Sequence, residues 1–338
     1  MSKRTVVLVL VLSLFVPVAL VGAQPSPRGY VDMVYVPQVE KVLLVAGQAD
    51  YNPPYEAVGG TWWYDPADDS WSQVLTDPAA PARSGANLAL HTPTGTAVFV
   101  GGSVPRGGGF ASVDETWLFD PVTEQWTQLT FEAGAFPPSH PGEMIAYHEA
   151  SDTLVLYGGF DLNRGDFVDA TWHFDLASET WTRVEPAVVP PGRNYNAFAY
   201  DPRTERLVMS GGPYAPGGPD EVWTYDPREL TWQEHERVPP GNLTDYARMV
   251  FDPTSGELIR FGGVGSQPGP GAWSVSADLT WTLLEPAGDR PPTISRHAMA
   301  AVPGLGVLVF GGVPSGFSDF TNDLWLLDTT GDPRWERR

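Results

Sequence analysis

Residues 153–184 read TLVLYGGFDLNRGDFVDATWHFDLASETWTRV, and the order of features in this stretch decides the fold. Four apolar residues, Leu154 to Tyr157, run into the pair Gly158-Gly159. A variable segment follows, then Trp172 in a second short run, the reversal Asp175-Leu176 and another tryptophan, Trp181. Short β-branched and aromatic runs bounded by Gly and turn formers read as buried strands, not helices. An Asp at the reversal bonds its own backbone and tightens the turn.

The same order recurs along the chain. A small-Gly or Gly-Gly pair closes an apolar run at 46–47, 101–102, 158–159, 211–212, 262–263 and 311–312, with successive spacings of 55, 57, 53, 51 and 49. The tryptophans pair as Trp62/Trp71, Trp117/Trp126, Trp172/Trp181, Trp223/Trp232, Trp273/Trp281 and Trp325/Trp335. Those twelve and Trp63 are all 13 Trp of the chain, so the residue is wholly absorbed by the repeat. That makes it a packing device, because indoles fill large gaps between sheets. Repeats of this period mark solenoids and propellers. Six copies predict an all-β fold, a six-bladed β-propeller of four-stranded antiparallel blades over residues 24–338. The first copy starts at Arg28 and the last ends at Trp335, so each blade is expected to come from its own segment.

An Arg-led strand, an apolar strand ending in Gly-Gly, a loop, a Tyr/Phe-Asp-Pro strand such as Tyr64-Asp65-Pro66 and a closing Trp strand together resemble the kelch repeat. The resemblance covers about residues 25 to 336. Within that family the chain resembles a bacterial exported kelch-repeat protein. Past the first 23 residues it holds one Lys (Lys41) against seventeen Arg, a bias of GC-rich bacterial genomes.

The N-terminus reads as a secretory signal peptide over residues 1–23. Lys3 and Arg4 precede the apolar run Thr5 to Leu20, and Val21-Gly22-Ala23 offers a cleavage point before Gln24. The other reading is an uncleaved anchor, since the run is nearly long enough to span a bilayer. With no Cys there is neither disulfide nor lipoprotein attachment. The expected location is secreted, periplasmic or cell-surface, with no membrane insertion once the signal is removed. Net charge is −21, and near −23 without Lys3 and Arg4. Such a field disfavours nucleic acid and anionic membranes. A monomer is expected.

Topology sorts the connections into two faces. One carries short stereotyped turns such as Asp201-Pro202-Arg203-Thr204. The other carries the long loops after each Gly pair, with Tyr51, Tyr55, Phe110, Phe160, Phe167, Tyr214, Phe317 and Phe320. Variable loops on a rigid scaffold are where binding resides, and exposed aromatics suit sugar rings or protein partners. Counting 19 residues back from each Gly pair gives Arg28, Arg83, His140, Arg193 and Thr244, with Arg296 taken as the equivalent in the last copy. These are expected to ring the channel mouth, either pairing with nearby acids as architecture or gripping a carboxylate or sulfate. The departures at His140 and at the insertion Thr244-Asp245-Tyr246 stand out. The ligand-binding candidates are therefore Arg83, His140, Arg193, Tyr246 and Arg296.

Catalytic patterns are mostly negative. His-Glu-x-x-His and Gly-x-Ser-x-Gly are absent, and the six His lack metal-ligand spacing. Kelch-containing copper oxidases need a Cys that this chain lacks, and sialidase-type Ser-x-Asp-x-Gly turns do not occur. Asp161, Asn163 and Asp166 fall short of a calcium loop, and Asn242-Leu243-Thr244 is a sequon for a eukaryotic host only. No cofactor or metal is expected. The leading expectation is a binding propeller for a protein or glycan. The alternative resembles the six-bladed kelch mutarotases that act on sialic acid. It would take Arg83 or Arg193 for the substrate carboxylate and Glu143 or His140 as acid/base, with no residue-by-residue match to that family. A purely structural cell-envelope module is the third reading.

Overall fold

The computed structural model describes residues 19–21, 23–212, 221–235, 246–264, 271–315 and 318–338. The signal-like residues 1–18 and 22, Tyr214, the 242–244 sequon and Phe317 lie outside the described residues.

Six antiparallel sheets form a propeller, each taking its four strands in chain order from the axis outward. Blade 3 shows the rule: Met144–His148, Thr153–Tyr157, Thr171–Asp175 and Thr180–Val184 pair in that order. The innermost strands of the other five blades are Asp32–Val36, Asn87–His91, Ala197–Asp201, Arg248–Asp252 and Ala298–Val302. Two blades gain an outer strand. Ala19–Val21 runs antiparallel along Ser70–Val74 in blade 1, and Ala287–Gly288 runs parallel along Arg334–Arg337 in blade 6.

The fourth strand, which holds Trp335, stays in blade 6, with Asp328 opposite Arg334. The ring therefore closes by packing rather than by a shared sheet. One core cluster joins Val42, Leu44 and Trp62 of blade 1 to Leu308, Phe310 and Leu326 of blade 6. Backbone bonds from Arg28 N–H to Thr321 O (3.1 Å) and from Gly312 N–H to Arg28 O (2.8 Å) seal the same seam.

The second Trp of each pair explains the strict spacing. Trp126 Nε1 donates to Thr61 Oγ1 of the preceding blade (2.8 Å), Trp181 to Thr116 (3.1 Å) and Trp232 to Thr171 (3.2 Å). Each Thr is the first residue of a third strand. A buried indole thus carries apolar area into the gap and satisfies its one donor across it. On the short-turn face, Asp65, Asp120, Asp175 and Asp226 accept backbone N–H groups two or three residues on, as the Asp-led reversals predict.

Candidate functional site at the axis of the loop face

The loop-face end of the axis is closed by one position from every blade: Tyr30, Gly85, Gly142, Tyr195, Tyr246 and Arg296. Each lies two residues before its innermost strand, and all six have positive φ, between 46° and 80°. Their backbones link around the axis. Tyr30 N–H donates to Arg296 O (2.8 Å), Gly85 to Tyr30 (3.2 Å), Tyr195 to Gly142 (2.8 Å), Tyr246 to Tyr195 (3.0 Å) and Arg296 to Tyr246 (3.4 Å). Positive φ in bulky residues is strained by roughly 1–3 kcal/mol each and gathers at functional sites. Here the strain aims four large side chains at one point.

The tyrosines stack as a plug. Tyr195 and Tyr246 have ring centroids 4.7 Å apart, and Tyr30 lies 5.4 Å from Tyr195. The two glycines are required by this plug: a Cβ on Gly85 would come 2.7 Å from Tyr195 Oη, and one on Gly142 would come 2.8 Å from the same ring. Arg296 completes the group. Its guanidinium carbon is 3.9 Å from the Tyr246 ring centre and 5.3 Å from those of Tyr30 and Tyr51. Its Nε donates to Tyr30 Oη (2.6 Å) and its Nη1 to Ser295 Oγ (2.8 Å). Among the described residues it makes no ion pair. Burial pushes the Tyr30 phenol up to about 12 although Arg296 opposes it, so the phenol is neutral at pH 7. The cation is met by ring faces and hydroxyls.

Above the plug opens a cleft of about 420 Å³. Its walls are half-buried Tyr51, Tyr55, Phe110 and Phe160, with Tyr55 and Phe110 centred 4.7 Å apart. Asn194 lines it too, and its Oδ1 is buried with no partner among the described residues. A buried acceptor left open calls for a ligand or water. Below the plug, Arg248 Nη1 stands 3.7 Å from Asp32 Oδ2 inside the channel. Burial raises the Asp32 carboxyl while Arg248 lowers it, and its oxygens accept the N–H groups of Met33 (3.0 Å) and Leu88 (3.2 Å).

The candidates read from spacing separate here. Tyr246 and Arg296 come together at the axis. Arg83 and Arg193 do not: their guanidiniums turn outward within their own blades to Glu115 (2.5 Å) and Glu221 (2.8 Å). Arg28 is likewise spent on Ala46 O and Ser26. The equivalence of Arg296 with this set needs correction. Arg28, Arg83 and Arg193 accept a Gly N–H from the preceding blade, and in blade 6 the residue doing so is Ile294, which accepts from Gly263. Arg296 matches Tyr30 instead. His140 sits off the axis, its Nδ1 3.5 Å from Glu143 Oε1 and its Nε2 3.9 Å from Asp161 Oδ2. Phe320, read as a loop aromatic open to solvent, is 6% exposed and packs over Gly29. The Asp161 carboxylate accepts the N–H groups of Asn163 and Arg164 and so closes a turn. Tyr30, Tyr195 and Asn194 were missed. Tyr30 and Tyr195 carried one signal, a two-residue offset from the Arg column at which Tyr recurs, and Asn194 carried none.

Comparison with known proteins decides the repeat type. A family described as the KLHDC2/KLHL20/DRC7 Kelch-repeats domain matches residues 94–243. The chain is a kelch-repeat β-propeller. Among curated proteins, the kelch propeller is 26% identical to Adagio-like protein 1 of Oryza sativa subsp. japonica, over 68% of this chain and 39% of that protein. It is 24% identical to Multiple epidermal growth factor-like domains protein 8 of Homo sapiens, over 81% of this chain and 10% of that one. Kelch domain-containing protein 10 of Xenopus tropicalis is 23% identical, over 57% of this chain and 49% of its own length. The kelch propeller thus spans under half of these relatives. Among solved structures, the structure of YjhT matches with a TM-score of 0.69 at 16% identity, covering 94% of this chain and 99% of that one. That likeness is one of fold.

Proposed function

We propose that this kelch propeller is a binding module that holds an acidic glycan in the axial cleft of its loop face. One observation carries the reading. Arg296 keeps a positive charge that, among the described residues, no carboxylate neutralises, and it stacks on Tyr30, Tyr51 and Tyr246, three of the residues that line a cleft with an open Asn194 acceptor. Aromatic faces suit the C–H side of sugar rings, and a guanidinium suits a carboxylate or sulfate. The test is a glycan and peptide array with the propeller, followed by calorimetry on the hits with Arg296→Gln. Acidic glycans should dominate, and the variant should lose them with its melting temperature intact. A preference for neutral glycans or peptides would overturn the reading.

Export rests on residues 1–23 alone, and a secreted or surface-bound chain beginning at Gln24 is the proposal. N-terminal sequencing of the exported protein checks it, and Met1 retained on membrane-bound material would favour the anchor.

A second, enzymatic reading keeps one observation. Glu143 is fully buried beside His140, and burial pushes its carboxyl up to about 7 although His140 opposes the rise, a value suited to proton exchange. The reading loses Arg83 and Arg193 as carboxylate grips, since each already holds a glutamate. NMR of bound saccharides would show turnover abolished by Glu143→Gln if it were correct.

A further inference from the structure

Blades 2 and 4 share a three-residue clamp that blade 3 lacks. In blade 2, Glu115 takes both Arg83 and the indole N–H of Trp117 (2.7 Å). In blade 4, Glu221 takes both Arg193 and the indole N–H of Trp223 (3.2 Å). The equivalent residues of blade 3 are His140, Ala170 and Trp172. Both charged partners are replaced, and the half-buried Trp172 makes no hydrogen bond through Nε1 among the described residues. Blade 1 also lacks the glutamate, but there Trp62 is buried and Arg28 still bonds the carbonyls of Ala46 and Gly59.

Where the clamp is missing, a cleft of about 770 Å³ opens, bounded by Trp172, His140, Asp169 and the hairpin Phe160–Asp161/Asp166–Phe167. It adjoins the axial cleft: Phe110 and Leu162 line both. Phe160 faces the axial cleft and Phe167 the outer one, with ring centroids 5.1 Å apart. Each cleft has the volume that takes a whole drug-sized ligand, roughly 300–1,000 Å³, so the pair exceeds what one sugar ring fills. At the axis the cation Arg296, unneutralised among the described residues, stands behind the tyrosines that line the cleft. The outer cleft instead sets Asp114, Asp166 and Asp169 against Arg106, Arg164 and Arg183, the last two already paired with Asp161 and Glu185, and adds the indole N–H of Trp172.

We propose that the propeller binds an acidic oligosaccharide lengthwise, its charged residue over Arg296 and its neutral residues running outward between blades 2 and 3 to Trp172. The proposal rests on the axial reading and adds length and direction to it. Neutral sugars offer ring faces for Trp172 and hydroxyl oxygens for its N–H. Their adjacent hydroxyls also donate well to carboxylates such as Asp169.

The test is calorimetry with galacturonic acid and with neutral galacto-oligosaccharides of one to three residues that carry a single terminal galacturonic acid, alongside capped peptides on an array. Trp172→Phe keeps the packing and removes the N–H. Asp169→Asn, on the surface, serves if Trp172→Phe does not fold. Affinity should climb with length, and Trp172→Phe should cut the ratio of oligomer to monomer affinity about fivefold, the worth of one hydrogen bond. Arg296→Gln should weaken monomer and oligomer alike. Equal affinity for monomer and oligomer, indifferent to Trp172→Phe, would overturn the lengthwise mode and leave the axial site standing. Binding of peptides alone, or binding indifferent to Arg296→Gln, would overturn both.

Discussion

The Arg296 guanidinium lies over the face of Tyr246, 3.9 Å from the ring centre, and both residues hold positive φ at the propeller axis. The cation is fixed in place without an acid to spend it on, among the described residues. Arg296→Gln should therefore lower affinity for an acidic ligand about ten- to a hundredfold, the range of one charge-assisted bond. The loss should shrink in high salt. Titrations at two ionic strengths check this, and a salt-independent loss would point to shape instead of charge.

The Trp-to-Thr bonds between blades make a graded prediction. Trp126→Ala should cost ~3–5 kcal/mol, as for large aromatics in cores. Trp281 is buried, and its indole N–H has no partner among the described residues, because Val222 stands where Thr61, Thr116 and Thr171 stand in blades 1 to 3. Val222→Thr should restore the acceptor and stabilise the fold by about 0.5–1 kcal/mol. Urea unfolding measures both, and destabilisation by Val222→Thr would mean that the blade spacing differs there.

Arg193 is 1% exposed and pairs with Glu221. Arg193→Ala would strand a buried carboxylate, so a loss of about 3–5 kcal/mol is expected. The double change to Met at 193 and Leu at 221 should cost much less. Phe320→Ala should behave as a core change too, at ~3–5 kcal/mol, because its ring is buried over Gly29. Thermal melts check all three, and near-neutral Arg193→Ala would free that residue for a binding role.

Stability should respond to pH with two opposing slopes. Burial lowers His297 to about 3 and His173 to about 4, below the usual 6.5. The unfolded chain then binds more protons, so their stabilisation is complete above pH 6.5 and is lost as pH falls towards those values. Glu143 has the opposite sign. With its carboxyl raised from 4.5 to about 7, its contribution is present below pH 4.5 and lost as pH rises through 7. His173→Asn should flatten the acid limb, and Glu143→Gln the limb between pH 4.5 and 7, each by up to about 1.4 kcal/mol per pH unit. Melting temperatures across pH 4–8 decide it.

The blades were legible because a blade is local. The four strands of a blade pair in chain order, so Gly158-Gly159, Trp172 and Trp181 mark three strands of one sheet, and the whole of blade 3 lies within residues 144–184. Six registers of the same marks leave no other all-β arrangement in which each Trp meets the preceding blade.

The axis was not legible, because it is assembled from six segments some fifty residues apart, where an offset of two positions changes everything. The Arg column was visible in the spacing, yet Arg83 and Arg193 turn outward to glutamates of their own blades. Counting 19 back from Gly312 reaches Thr293, one residue from Ile294, which the backbone bonds match to Arg83; Arg296, taken as the equivalent because the hairpin of blade 6 is shorter, matches Tyr30. Sequence by itself determined the number of blades, their order and which indoles fill the gaps, since these follow from local pairing and apolar periodicity. Tertiary structure alone decided that Tyr30, Tyr195, Tyr246 and Arg296 meet, because positive φ at those residues turns their side chains onto the axis only once the ring has closed.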